Sequence, residues 1–216
     1  GFCNVQTGSP LPVDELEPFK VARSINIMGV KHAVITSVDR DDIKDGGSII
    51  WAETVNAIRD LNPNTTIETL IPDFKGETEN IDRIIKVAPE VVSHNLETVR
   101  RLTKEVRIQA KYDRSLEVLK YLKESGLSRT KSGVMLGLGE KRKEVLETLY
   151  DLRRVGVDIV TLGQYLQPSK KHLPVSEFIT PDEFKEYEFI GKEMGFRHVE
   201  SGPLVRSSYK AHKHIH

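Results

Sequence analysis

Short runs rich in Val, Ile and Thr recur along this chain, and between them lie longer stretches whose apolar residues fall at helical spacing. That alternation leaves few architectures open, because strands joined through helices pair in parallel and must bury both faces of their sheet. Strands are expected at 32–38, 66–71, 91–94, 133–137 and 158–163, with a weaker sixth near 198–201. Helices are expected at 13–28, 49–61, 80–87, 115–124, 143–154 and 181–194. Gly126, Gly156 and Gly195 follow apolar-periodic runs, where a residue at positive φ closes a helix. Thr180-Pro181-Asp182-Glu183 reads as a capping box with proline at the first helical position.

The 216 residues suit one domain spanning 1–216 with a real core. Lys and Arg total 32 and so do Asp and Glu, so no overall field draws in a nucleic acid or an anionic membrane. No apolar run approaches the roughly 20 residues that span a bilayer. The single cysteine, Cys3, rules out an internal disulfide framework and suits a reducing compartment, a bacterial cytoplasm by preference. Gly1-Phe2-Cys3-Asn4-Val5 carries neither a starting Met nor a leader, and the natural polypeptide is expected to extend upstream, which leaves mitochondrial or plastid targeting open.

Consecutive βα units make either an open doubly wound sheet or a curved barrel, and periodicity does not separate the two. In both, chemistry gathers where strands end. Asp39-Arg40-Asp41-Asp42, closing into Asp45-Gly46-Gly47, reads as a solvated loop or as a backbone cradle for the polar end of a small molecule. Gly133 to Glu140 ends a strand in glycines, yet lacks both the Walker ending and a Gly-x-Gly-x-x-Gly fingerprint. His94-Asn95-Leu96-Glu97 offers side chains suited to hydroxyls or amines, with His94 itself more at home as a hydrogen-bonded structural residue. His172, His198, His212, His214 and His216 make no zinc spacing, and the last three read as a solvated tail.

In order and spacing these pieces resemble the lipoyl synthase family of radical S-adenosylmethionine enzymes, from Gly1 to about Ala211. The stretches that carry the resemblance are Val34 to Asp42 with Asp45-Gly46-Gly47, Glu68 to Phe74, His94 to Val99, Thr130 to Gly133 and Gly137 to Glu140. Gly163-Gln164-Tyr165-Leu166-Gln167-Pro168-Ser169 and Gly202 to Tyr209 complete the set. The resemblance implies an α/β fold, a partial (β/α)6 TIM-like barrel whose first strand region would precede this chain. It implies two [4Fe–4S] clusters, one binding S-adenosylmethionine and one auxiliary sulfur donor. Cys3 matches the third thiolate of a Cys-x-x-x-Cys-x-x-Cys loop, Phe2 the aromatic residue beside the adenine, and Ser208 a serine ligand of the auxiliary cluster. A serine oxygen is a weak iron ligand, which suits a cluster that is consumed.

The implied reaction inserts two sulfurs at C6 and C8 of a protein-bound octanoyl-lysine after a 5′-deoxyadenosyl radical abstracts hydrogen. The implied partners are octanoylated lipoyl carrier domains or the glycine cleavage H protein, with flavodoxin or ferredoxin as reductant. On this basis Gly46 and Gly47 hold the methionine amino group, Asn95 and Glu97 sit near the sulfonium or ribose, and the strand end at Gly137 passes beside the adenine. Lys131, Gln164, Tyr165 and Arg206 are expected on the substrate side. Two other outcomes compete. One is a cluster-free hydrolase or lyase using Asp39, Asp41, Asp42 and Glu140. The other is that these 216 residues alone are inactive, since one thiolate does not replace three.

Overall fold

Six strands pair in parallel in the order in which the chain makes them: β1 (His32–Thr36), β2 (Thr66–Leu70), β3 (Val91–Ser93), β4 (Thr130–Leu136), β5 (Ile159–Gln164) and β6 (His198–Gly202). The computed structural model describes Phe2, Gly8, residues 10–107 and residues 109–215. A doubly wound sheet reverses its strand order at a switch point, and this one never does, so the winding is that of a barrel. Register adds the curl. The rung that begins at Thr36 passes through Leu70, Ser93, Lys131 and Ile159 to His198. It starts at the last residue of β1 and ends at the first of β6, and this stagger tilts strands into a barrel wall. β1 and β6 are the two edges and do not pair with each other.

Helices cover the outside: α1 (Glu17–Met28), α2 (Ser48–Leu61), α3 (Thr78–Val87), the single turn α4 (Thr103–Val106), α5 (Tyr112–Glu124), α6 (Arg142–Arg154) and α7 (Pro181–Glu193). Alternate residues of each strand meet them. Val134, Leu136, Val160 and Leu162 pack with Leu149 and Leu152 of α6 and Phe184 of α7. Val92 joins Trp51, Ile84 and Leu122, while Ala33 and Ile67 join Val55 and Ile58. Each such side chain, fully buried, contributes about 1.5–3 kcal/mol. The other alternate set faces inward and is of a different kind: Glu68, Ser93 and Lys131 low in the barrel, Gly133, Thr161 and Gly163 above them.

The expected elements are present with shifted ends. β4 begins at Thr130, three residues before the expected start, because Lys131 points inward onto Glu68 and polar character hid it. α1 begins at Glu17, after a turn in which the Asp14 carboxylate accepts from the Leu16 N–H. α4 and the 3₁₀ turns Phe74–Gly76, Arg100–Leu102 and Ala211–Lys213 are too short to leave a periodic signal. The α7 capping box forms on both sides, with Glu183 N–H donating to Thr180 Oγ1 and Thr180 N–H to the Glu183 carboxylate. Gly126, Gly156 and Gly195 all take positive φ. The solvated tail needs correcting: His212 is exposed, but His214 is fully buried, seated beside Lys131 and the His198 ring, and His216 lies outside the described residues.

Candidate functional site

A barrel of this kind ordinarily fills its interior with branched side chains. Here the upper layer is Gly133, Thr161 and Gly163, and these residues line a cavity of about 240 Å³ at the mouth. Asn95, Glu97, Val134, Met135, Val205, Arg206 and Ser207 line it with them, together with Phe2 and two of the expected substrate-side residues, Gln164 and Tyr165. A Cβ on Gly133 would stand 2.9 Å from both Asn95 Oδ1 and Thr161 Oγ1, so this strand residue is bare for want of room.

Asn95 and Glu97 reach the cavity because the chain leaves β3 at Ser93 and rejoins the sheet at Glu97. Glu97 N–H donates to the Gly133 carbonyl at 2.9 Å, and Met135 N–H donates to the Glu97 carbonyl at 2.8 Å. This fixes Glu97 at φ 65°, a left-handed conformation held by both of its backbone groups. Asn95 Nδ2 donates to the Glu97 carboxylate at 3.0 Å, while Asn95 Oδ1 is buried with no partner. Burial raises the Glu97 pKa, with the Asn95 hydrogen bond and the Arg107 charge pulling the other way. His94 points elsewhere: Nδ1 donates to the Ile71 carbonyl, Nε2 accepts from Ser115, and burial holds the imidazole neutral with a pKa of about 4. It is structural, as expected.

Gly46 and Gly47 stand on the neighbouring β1–α2 loop, outside the cavity lining. Their backbone groups are not all free, contrary to expectation. Gly46 N–H donates to the Ile43 carbonyl, and the Gly47 carbonyl accepts from Trp51 N–H, while the Asp45 carboxylate accepts from Ile49 N–H. Gly46 has a packing reason as well: a Cβ there would sit 3.0 Å from the Phe74 ring.

Gly137 and Gln164 turn out to hold a strap. A Cβ on Gly137 would meet Gln164 Nε2 at 2.2 Å and the Glu177 carbonyl at 2.4 Å, which leaves no space for an adenine against that residue. Gln164 spends its amide on the chain, donating to the carbonyls of Tyr165 and Glu177 and accepting from Ile179 N–H. The Tyr165 hydroxyl donates to the Leu173 carbonyl, so only its ring faces the cavity. Residues 166–179 are thereby tied across the β4–β5 side of the mouth. Glu140 caps the N–H groups of Gly137 and Leu138, Asp42 pairs with Arg40 at 2.9 Å, and Asp41 lies 3.7 Å from Lys75. These local engagements occupy Asp41, Asp42 and Glu140, while Asp39, its pKa raised by burial and by the nearby charges of Asp41 and Asp73, is the one carboxylate of the cluster-free alternative with no such pairing among the described residues.

Lys131 needs the plainest correction. It is the second residue of β4, low in the barrel and fully buried, 2.7 Å from Glu68, and does not reach the mouth. Arg206 does line the cavity, with Nη1 on the Val205 carbonyl, and Ser207 beside it. Ser208 is the next residue along and is exposed. Cys3 lies outside the described residues. Among the described residues no group of three or more His, Cys, Asp and Glu side chains is placed to hold a metal. Sequence reasoning missed Thr161, Gly163, Met135 and Ser207, whose only signal is position: they face inward at strand ends, or follow Arg206.

The arrangement favours a cation that also carries apolar surface. It offers a buried, unpartnered amide oxygen, a half-buried carboxylate and aromatic residues around a floor of glycine and threonine, with Arg206 at its edge held on the Val205 carbonyl. S-adenosylmethionine, with a sulfonium and a purine, matches that donor set.

Comparison with known proteins gives a consistent result. The Radical SAM superfamily model matches residues 1–161. The chain is 74% identical over 216 residues to the mitochondrial lipoyl synthase of Nematostella vectensis, covering 100% of this chain and 74% of that protein. It is 74% identical over 215 residues to the lipoyl synthase of Christiangramia forsetii, covering 100% of this chain and 73% of the relative. Among solved structures, HydG, a maturase of the FeFe-hydrogenase, superposes with a TM-score of 0.69 at 17% identity, over 94% of this chain and 47% of its own. Methylornithine synthase gives 0.61 at 11% identity, over 90% and 64%. At those identities the structural likeness speaks for the fold.

Proposed function

Because this chain belongs to the radical S-adenosylmethionine superfamily, and within it to the lipoyl synthases, we propose a role for each residue that the barrel brings to its mouth. The protein is a lipoyl synthase, a sulfur-inserting enzyme that works with S-adenosylmethionine and iron–sulfur chemistry on a lipoyl carrier protein. Bound together, cluster and S-adenosylmethionine supply the hydrogen-abstracting radical. What the chain adds is grip, orientation and shelter from water.

Asn95 Oδ1 and the Glu97 carboxylate accept the polar and cationic parts of S-adenosylmethionine. Phe2 packs at its adenine. At this turn a methionine amino group would be met by the Gly46 carbonyl, since the Gly46 amide and the Gly47 carbonyl are already engaged and an amine needs acceptors. Gly137 drops out of the binding set, its space taken by Gln164 and Glu177. Cys3 is proposed as a thiolate of the first cluster and Ser208 as an oxygen ligand of a second, sulfur-donating one. Arg206 and the Tyr165 ring face the acyl substrate; Lys131 and the Gln164 amide do not. Residues 1–216 form one domain, and the carrier is an octanoylated lipoyl domain or the H protein, with flavodoxin or ferredoxin as reductant. A bacterial cytoplasm is the proposed compartment, and no described helix is long and apolar enough to cross a membrane.

The observation that carries this proposal is the buried, unpartnered Asn95 Oδ1 beside a half-buried Glu97 in the cavity lining. Hydrogen bonds to a charged partner contribute about 1.5–3 kcal/mol. Asn95→Ala and Glu97→Gln are therefore each expected to weaken S-adenosylmethionine binding to the reconstituted enzyme by roughly 10- to 100-fold. Equilibrium dialysis measures it, and wild-type affinity in both variants would overturn the assignment.

A further inference from the structure

The sheet leaves β1 and β6 as unpaired edges, and residues 211–214 touch both of them, the turn Ala211–Lys213 against β1 and His214 beside His198 and Glu200 of β6. After β6 the chain turns over the mouth, and the Val205 carbonyl lies against Gly163 so closely that a Cβ there would meet it at 2.2 Å. Six residues later the turn Ala211–Lys213 packs on β1, with Ala211 buried and His214 fully so. Arg206, Ser207 and Ser208 are strung between these two anchors.

We propose that His214 is a positioning residue, the latch that seats this C-terminal arm against β1 and β6 and so holds Ser207 and Ser208 at the barrel mouth. Its socket is built from several strands. His214 Nδ1 lies 3.4 Å from Lys131 Nζ on β4, and an ammonium only donates, so the ring is neutral with its proton on Nε2. That Nε2 faces Glu200 on β6 at 3.9 Å, and the ring is 5.4 Å from the His198 ring. Lys131 is itself held by Glu68 on β2, which accepts from Ser93 on β3 as well. Within 206–210 the backbone makes local turns only, from Tyr209 N–H to Arg206 and from Ala211 N–H to Ser208, and the exposed Lys210, 3.7 Å from Glu200, adds a loose, solvent-screened ion pair to β6. A short segment tied at one end regains the conformational freedom that a second tie removes.

The consequence for turnover rests on the assignment of Ser208 as a cluster ligand; the latch itself does not. Hydrogen–deuterium exchange on the holoenzyme reads it directly. His214→Ala is expected to speed exchange across 205–213 by about tenfold or more while the sheet keeps its protection. S-adenosylmethionine cleavage continues at the wild-type rate, and lipoyl product per molecule cleaved is mostly lost. His214→Gln, which keeps a neutral acceptor for Lys131, restores much of both. Ala211→Asp unseats the same turn without touching the socket and is read in the same way should the alanine variant fail to fold. Unchanged exchange at 205–213 in the variant that folds overturns the latch, and faster exchange with full product coupling overturns its positioning role. If Ser208→Ala keeps full coupling while His214→Ala loses it, the serine assignment fails and the latch stands.

Discussion

Glu97 is where local strain, burial and ligand chemistry meet. Its left-handed backbone is held by Gly133 and Met135, and that twist turns the carboxylate toward Asn95 under the cavity. Burial raises its pKa, so it begins to take a proton at a pH where ordinary carboxylates remain charged. Affinity for the sulfonium ligand is expected to fall as the solution is acidified through that raised value, whereas Glu97→Gln should bind weakly with little pH dependence; dissociation constants measured across a pH series test this. Asn95 and Glu97 were legible in the sequence because they follow a short buried strand. Lys131 was misplaced because Thr130-Lys131-Ser132 reads as a polar loop until a partner on β2 explains the lysine. His214 was illegible, since nothing local distinguishes a histidine that ends a frayed tail from one that is buried against β6.

Among the elements, the strap 166–179 is held by the Gln164 amide, the Tyr165 hydroxyl on the Leu173 carbonyl and the Ser176 N–H on the Gly137 carbonyl. Gly137→Ala would push a methyl group into Gln164 and Glu177 at a backbone φ of 101°, which alanine adopts only under strain. It is expected to release the strap and expose Lys170 and Lys171 to trypsin, with a loss of roughly 1–3 kcal/mol in stability by denaturant unfolding. Milder is Thr180→Ala at the start of α7, which removes the side-chain acceptor for Glu183 N–H and should cost about 1 kcal/mol, with Thr180→Ser close to wild type. The α7 start could be read from four residues, since a cap is local chemistry. The strap's anchoring could not, because Gln164 finds its partners only once β4 and β5 lie side by side.

At the scale of the molecule, winding order and register make the barrel, and neither is written in any one segment. The alternation of strand and helix announced parallel βα units, but only the unreversed strand order separates barrel from doubly wound sheet. The whole is also sensitive to acid. His94 and His214 are buried neutral, with pKa values lowered to about 4 and about 3, chiefly by burial. In the unfolded chain each titrates near 6.5. The stability they permit is complete above that value and is lost as pH falls from 6.5 toward those folded values, by up to about 1.4 kcal/mol per unit for each. Denaturation midpoints measured between pH 7.5 and 5 should therefore decline, and less so in His214→Gln.

The division between the two faces of the sheet has a consequence for how such a protein can change over generations. Val134, Leu136, Val160 and Leu162 carry the cohesion of the β4–β5 wall from outside, whereas Gly133, Thr161 and Gly163, one residue away along the same strands, contribute almost nothing to it. Selection can therefore retune what the mouth accepts at Thr161 while Leu136, Val160 and Leu162 keep the scaffold standing, with Val134 and Met135 touching both the cavity and the core. Durability and specificity are inherited on alternate letters of the same words.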